Sequence, residues 1–431
     1  MTGRSIAWPI VPTVEIAAQE KGAIVSGPFG SAISSKYFED VGTPVIRGNN
    51  LTLGVTRFVD NGFVFLGDQK THQFRNMKAV AGDIIFTAAG TLGQVGIIPE
   101  DSRFPFYIIS NKQLRLRVDR KKVDPIYAYY WYSSPEIRQQ IIASNRGSSV
   151  PLITLQVLRS LPIAIPALDI QCRIAAILSA YDDLIENNKR RIAILEEKAR
   201  RIYEEWFVHF RAPGCEGLPL VDSPLGPIPV GWAATVSVIA DYINRGIAPR
   251  YDETSQTVVI NQKCIREGRL SLEPARPQSK PVPAEKLARH LDVLINSTGV
   301  GTLGRVAQAF RPPSGCTVDS HVTIARPRLE VDPHFFGLTL MRLQSKFEAA
   351  GVGSTGQTEL SRDRIRAETV VNPPHSLQRA FGEKIEPMRE LAQLLSLQNG
   401  NLRAQRDFLL PKLISGEFDV SAAEQLLEAA E

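Results

Sequence analysis

Only four cysteines occur in the 431 residues, Cys172, Cys215, Cys264 and Cys316. No two form a CxxC pair, and none stands at a zinc-site spacing from histidine, so neither a disulfide scaffold nor a metal site is expected and the thiols read as reduced and structural. Long apolar runs are missing as well. None reaches the roughly eighteen residues of a membrane span. The N-terminal MTGRSIAWPIVPTVEIAAQEKG lacks the continuous apolar stretch of a secretion signal, so a cytoplasmic protein is expected.

Catalytic signatures are equally scarce. The chain has no GxxxxGK[ST], GxSxG or HExxH, which removes a nucleotide-phosphate loop, a hydrolase nucleophile elbow and a zinc-protease helix. GTLG at 90–93 and 301–304 is too slight to serve as a loop for S-adenosylmethionine. Asp319, Ser320 and His321 are adjacent in a strand-like stretch and alternate faces, which cannot build a Ser-His-Asp relay. No cofactor and no catalytic residues are expected.

What is present is a folded composition, 43% hydrophobic and 22% charged, without low-complexity tracts. A net charge of +5 and a pI near 9.0 permit nucleic-acid binding without requiring it. From about Asp169 to Phe210 the spacing of Ile174, Ile177, Tyr181, Leu184, Asn188, Leu195 and Ile202, completed by Arg191 and Lys198, predicts one long helix with a coiled-coil seam. Leu377 to Phe418 repeats it through Phe381, Met388, Leu391, Leu395, Leu402 and Leu409, with Gln398 and Gln405 as polar interruptions.

The two stretches are copies. Gln171 matches Gln378 and Leu195 matches Leu402, an offset of 378 − 171 = 207 residues. The globular parts repeat too. Gly82 to Gly96, a hairpin with Thr91-Leu92-Gly93 at its turn, recurs as Leu291 to Val306 with Thr302-Leu303-Gly304. Ser110 to Leu116 recurs as Asp319 to Ile324, and Asp124-Pro125 as Asp332-Pro333. Val14 to Ala17 reads as a strand near the start. Asn372-Pro373-Pro374-His375 has the look of a base-holding methyltransferase motif, but its repeat mate Ile165-Pro166-Ala167-Leu168 reads as a strand-to-helix turn.

The expected organisation is therefore a globule at 1–166 and a long helix at 167–211. A second globule at 212–372 opens on a Pro/Gly-rich connector, and a helix with a tail occupies 373–431. The fold class is α/β (α+β), with the two helices pairing as an antiparallel coiled coil.

GPFGS (27–31), GDIIFTAAGTLGQVG (82–96), SNKQLRL (110–116), LPIAIPALDIQCRIAAIL (161–178), LGPIPVGW (225–232) and LDVLINSTGVGTLGRV (291–306), in that order, resemble a specificity subunit of a type I DNA restriction-modification enzyme. The resemblance spans essentially the whole chain. It implies a non-catalytic DNA-binding subunit with two target recognition domains, each reading half of a bipartite double-stranded site, on helices that set the spacing. It further implies methyltransferase subunits docked on those helices and motor-nuclease subunits completing the assembly. A methyltransferase-only complex and a protein-binding helical scaffold are the alternatives.

Candidate DNA contacts are loop residues with hydrogen-bonding side chains or free backbone N–H groups, since Arg and Asn pair bidentately with guanine and adenine edges. In the first globule they are Gly27, Phe29, Gly30, Ser31, Arg47, Asn49, Asn50, Thr91, Asn111, Lys112 and Gln113. In the second they are Arg250, Tyr251, Asn296, Ser297, Thr302, Arg305 and His321. The second copy has no GPFGS, carrying Arg245-Gly246-Ile247-Ala248-Pro249-Arg250-Tyr251 in that region, so a different contact is expected there. Arg120-Lys121-Lys122 and Arg362, Arg364 and Arg366 are candidate phosphate neighbours.

Overall fold

The computed structural model describes residues 8–54, 56–146, 150–350, 359–418 and 420. Contacts divide the chain into two compact units, Met1–Arg190 with Ser396–Glu431, and Arg191–Leu395. Each unit holds part of both long helices, Leu168–Phe207 and His375–Ile414.

In the first unit a four-stranded antiparallel sheet runs in the order Ile24–Ser26, Gln113–Leu116, Ile84–Thr87, Val95–Ile97. Ile84, Ile85 and Phe86 are all buried, because this strand is covered on both faces. The side carrying Ile84, Phe86 and Leu114 packs on the helix Pro125–Ser133 and on the long helices, while Ile85 faces a second core with Ile46, Tyr107 and Ile109. A second sheet, in which Thr43–Ile46 lies parallel to Tyr107–Ile109, completes the unit.

The second unit repeats this plan. Ala240–Arg245, Val322–Pro327, Val293–Asn296 and Val306–Gln308 form a sheet of the same strand order, and Val258–Ile260 lies parallel to Thr317–Val318 in the smaller one. Side-chain locks repeat as well. Buried Asp83 accepts from Arg117 Nε and Nη2 at 2.8 and 2.7 Å, and buried Asp292 accepts from Arg326 in the same two-pronged way at 2.7 and 2.9 Å. Burial pushes the Asp292 carboxyl above the ordinary carboxylate range, and the Arg326 guanidinium opposes that rise.

Two sequence expectations change. Thr13–Ile16 is a helical turn rather than strand, because the strand pairing ends at Pro12 and the Thr13 hydroxyl is held by the Leu161 carbonyl at 2.9 Å. Val236–Ile239 makes the same turn after Ala233–Thr235 in the second unit. The helical seam also shifts by one residue at alternate positions. Ile185, Ile192 and Ala199 are buried where Leu184, Arg191 and Lys198 were expected, which leaves both cations exposed. In the C-terminal helix Asn399 and Arg406, not Gln398 and Gln405, are the inward polar residues.

Within each unit the helix segments run antiparallel. In the first, Asn188 donates to Asn399 at 3.1 Å, and Arg406 donates to Asp182 at 2.7 Å. In the second, Ile192 packs with Ala392 and Leu395, and the rings of Phe207 and Phe381 lie 5.0 Å apart. The Asn372 to His375 segment is a strand-to-helix turn. It leads from Thr369–Val371 into the C-terminal helix, and Gln378 Nε2 donates to Asn372 Oδ1 and to the Pro373 carbonyl at 2.9 and 2.8 Å.

Candidate functional site

The three loops of the first unit's main sheet that carry candidate residues lie at the same end of it. The loop after Ile24–Ser26, the hairpin after Ile84–Thr87 and the loop before Gln113–Leu116 share one end of the sheet. Arg47 to Asn50 joins them, because Thr43–Ile46 runs parallel to Tyr107–Ile109, whose chain continues into Ser110. The topology thus brings together residues that are far apart in sequence.

Their side chains fall into two sets. Phe29, Gly30, Ser31, Asn49, Thr91, Asn111 and Lys112 are exposed, and Arg47 is half-buried with its Nε enclosed and unbonded. Asn50, Gln113 and Gly27 are buried. The Asn50 side chain holds its own loop together, donating to the carbonyls of Val59 and Asn61 at 2.9 Å each and accepting from Arg47 N at 2.9 Å. Gln113 bonds Ser110, and its Nε2 has no partner. Gly27 lies against the Ser110 carbonyl so closely that a Cβ would overlap it.

In the second unit the same end of the sheet gathers Gly246 to Tyr251, the hairpin after Val293–Asn296, and Asp319 to His321. Arg250, Tyr251 and His321 are exposed, and Thr302 and Arg305 are half-buried. Asn296 and Ser297 are buried; Asn296 donates to the carbonyls of Gln262 and Thr302 at 3.1 and 3.0 Å, and Ser297 pairs with Thr323 at 2.6 Å. Arg305 donates back to the Gly301 carbonyl at 2.7 Å, bracing the hairpin tip.

A catalytic relay is not formed here. The His321 ring bonds Thr298 through Nδ1 at 2.7 Å, while Asp319 accepts the His321 backbone N–H at 2.9 Å instead of the ring. A base oriented by a carboxylate would need the ring itself in that contact.

Sequence reasoning missed three features. Gly246 stands where Gly27 stands: its N–H donates to Val322 O at 3.1 Å as that of Gly27 does to Gln113 O, and a Cβ on it would overlap the Val318 carbonyl. Two lysines then anchor the loop, Lys286 donating to Gly246 O at 2.9 Å and Lys280 to Ala248 O at 3.0 Å. Val300, at the tip of the second hairpin, is 94% exposed. Flanking residues differ too much between the copies for the glycine match to show in sequence, and lysines in a proline-rich segment carry no pattern of their own.

The candidate phosphate neighbours are largely engaged within the fold. Arg120 pairs with Glu100 at 2.7 Å, Lys122 donates to Glu15 O at 2.9 Å, and Arg364 pairs with Glu368 at 3.2 Å. The second unit's loop is the more cationic surface. There Arg250 donates to Ser279 Oγ at 3.0 Å, and the Arg276 guanidinium lies 3.6 Å from the centre of the Tyr251 ring.

Residues 28–197 match the type I restriction modification DNA specificity domain. The chain is 25% identical over 351 residues to the type I restriction enzyme MjaIX specificity subunit of Methanocaldococcus jannaschii, covering 79% of this chain and 78% of that one. It is 22% identical to the HindI specificity subunit of Haemophilus influenzae, with 78% and 86% covered. The crystal structure of a type I restriction-modification S subunit from M. genitalium shares the fold, with a TM-score of 0.62 at 17% identity over 96% of this chain and 97% of that one. Among the described residues no helix is long and apolar enough to cross a membrane.

Proposed function

We propose that this chain, whose residues 28–197 match the type I restriction modification DNA specificity domain, is a non-catalytic specificity subunit that reads a bipartite double-stranded site. Residues 1–166 and 212–372 act as the two target recognition domains, and 167–211 with 373–431 supply the helices that space them. The exposed loop residues at the sheet ends, including Asn49, Thr91, Asn111 and Lys112 in one unit and Arg250, Tyr251 and His321 in the other, make the DNA contacts, joined by the half-buried Arg305. Gly27, Asn50, Gln113, Asn296 and Ser297 hold those loops in shape.

One observation carries this reading. The two units share strand order, buried Asp-Arg locks and a glycine packed on a neighbouring carbonyl, yet their loop tips bear different side chains. Constant framework with divergent tips suits two readers of unlike sequences. The loops bear hydrogen-bonding groups and cations, which fit base edges and phosphates.

Partner subunits supply the chemistry in this reading. A methyltransferase docks on the helices, where Ile194, Leu394 and Leu397 are 66%, 56% and 58% exposed, and methylates an adenine that it flips from the duplex. Motor-nuclease subunits add cleavage.

The test is to express the chain with its methyltransferase partner and map methylated bases in the host DNA. The expected result is one bipartite motif, with no methyl transfer by the purified chain alone. Methyl transfer by the chain alone, or methylation with no motif, contradicts the proposal.

A further inference from the structure

The first unit carries a bare aromatic ring on a braced loop of its loop cluster. Phe29 is 88% exposed, and the next most exposed aromatics among the described residues are Phe408 at 59% and Tyr251 at 45%. Leaving a phenyl ring in water forgoes the favourable burial that it would gain elsewhere. The backbone that carries the ring is held in place. Gly27 is pressed against the Ser110 carbonyl and donates to Gln113 O at 3.1 Å, and Pro28 is buried with its φ fixed by its ring. Phe29 O accepts from Ala32 N at 3.2 Å, Gly30 O accepts from Asn111 Nδ2 at 3.3 Å, and Ile33, at 6% exposure, pins the following turn in a core. A backbone held in this way leaves only the side-chain rotation of the ring to be ordered on binding.

The second unit shows what the same backbone position does without a ring. Gly246 is the counterpart of Gly27, so Ala248 stands where Phe29 does, and Lys280 and Lys286 donate to the carbonyls of Ala248 and Gly246. One copy of the loop is aromatic and the other cationic. A surface facing a polyanion uses both: cations neutralise phosphate, and flat rings stack on bases or enter a base step. The residues beside Phe29, namely Gly30, Ser31, Asn111 and Lys112, are small or hydrogen-bonding and exposed. Protein-protein interface cores instead gather several apolar side chains.

We infer that Phe29 is a wedge that inserts against a base step of the DNA half-site read by the first unit, unstacking it. The inference rests on the DNA-reading function proposed above and assigns this residue a role within it. The polar loop residues specify bases by their edges, and Phe29 selects a step that opens readily, as pyrimidine-purine steps do.

The experiment uses the full chain with its methyltransferase partner and duplexes carrying 2-aminopurine at successive positions of the mapped half-sites. In the wild type, fluorescence rises on binding at one step of a single half-site. Phe29→Ala, which removes an exposed ring and leaves the fold intact, is expected to abolish that rise and weaken binding about tenfold, while Phe29→Trp retains both. Substitutions in the other half-site are read as in the wild type. A duplex that binds with no position brightening overturns the wedge and leaves DNA reading standing. So does a Phe29→Ala protein that keeps the fluorescence rise, or one that loses the methyltransferase partner instead of the DNA. Failure of the wild-type complex to bind any duplex overturns both.

Discussion

Gln171 and Gln378, 207 positions apart, close the same junction in the two units. Gln171 Oε1 accepts from Asp124 N at 3.0 Å and its Nε2 donates to Pro166 O at 2.9 Å, while Gln378 Oε1 accepts from Asp332 N at 3.2 Å and its Nε2 donates to Pro373 O at 2.8 Å. Each glutamine ties the start of a long helix to the N-cap of the helix opened by Asp124 or Asp332. Both are buried, so losing the amide strands a backbone donor and an acceptor.

Gln171→Ala is therefore expected to destabilise the first unit by about 1–3 kcal/mol, and Gln378→Ala the second by a similar amount. Amide hydrogen exchange resolves the two. Faster exchange confined to the unit that carries the substitution is the expected outcome, and uniform loosening of both units contradicts it.

Asn188 and Asn399 form a buried amide pair in the first unit, and their repeat mates, Leu395 and Ile192, form an apolar pair in the second. Asn188→Leu leaves the Asn399 amide enclosed without its partner and is expected to cost about 1–3 kcal/mol. Combining Asn188→Leu with Asn399→Ile copies the apolar layer and is expected to restore or exceed wild-type stability. Denaturant melts of the two single variants and the double variant check this, and simple addition of two losses in the double variant refutes it.

That layer also marks where the sequence was legible and where it was not. Both helices, the repeat and the hairpins show in spacing alone, because apolar periodicity survives in each copy. The seam frame did not. Asn188 and Leu195 fit two neighbouring frames, one through Leu184, Arg191 and Lys198 and one through Ile185, Ile192 and Ala199. Burial of the apolar set decides between them, since the cations of the other reach solvent. The site was half legible for a related reason. Sequence places Asn50, Gln113, Asn296 and Ser297 in loops but does not tell a side chain that bonds its own loop from one that faces outward.

His334 offers a pH test. It is buried, its Nδ1 has no hydrogen-bond partner, and Glu386 lies 3.9 Å from its Nε2. Burial lowers its pKa to about 4, and the nearby Arg389 and His290 add to that. A lowered folded-state pKa means that the unfolded chain takes up the proton first. The neutral ring's contribution is full above about pH 6.5 and declines as pH falls toward 4. Stability of the second unit is expected to drop by about 2 kcal/mol between pH 6.5 and 5 on this account. His334→Phe should flatten that slope in urea melts, and an unchanged slope excludes His334 as the cause.

Gly27→Ala and Gly246→Ala each force a Cβ into a neighbouring carbonyl. Each is expected to shift its own loop at a cost of about 1–3 kcal/mol and to weaken recognition of one half-site. Binding to duplexes with one half-site scrambled separates them. Equal loss on both half-sites from either substitution contradicts independent readers.

The central claim is that two similar units read two unlike DNA words. Exchanging residues 212–372 for the corresponding segment of a related specificity subunit, then mapping methylated bases by single-molecule sequencing, tests it most directly. The account predicts that one half of the bipartite motif changes while the other half and the spacing between them persist. A change in both halves, or in neither, contradicts it.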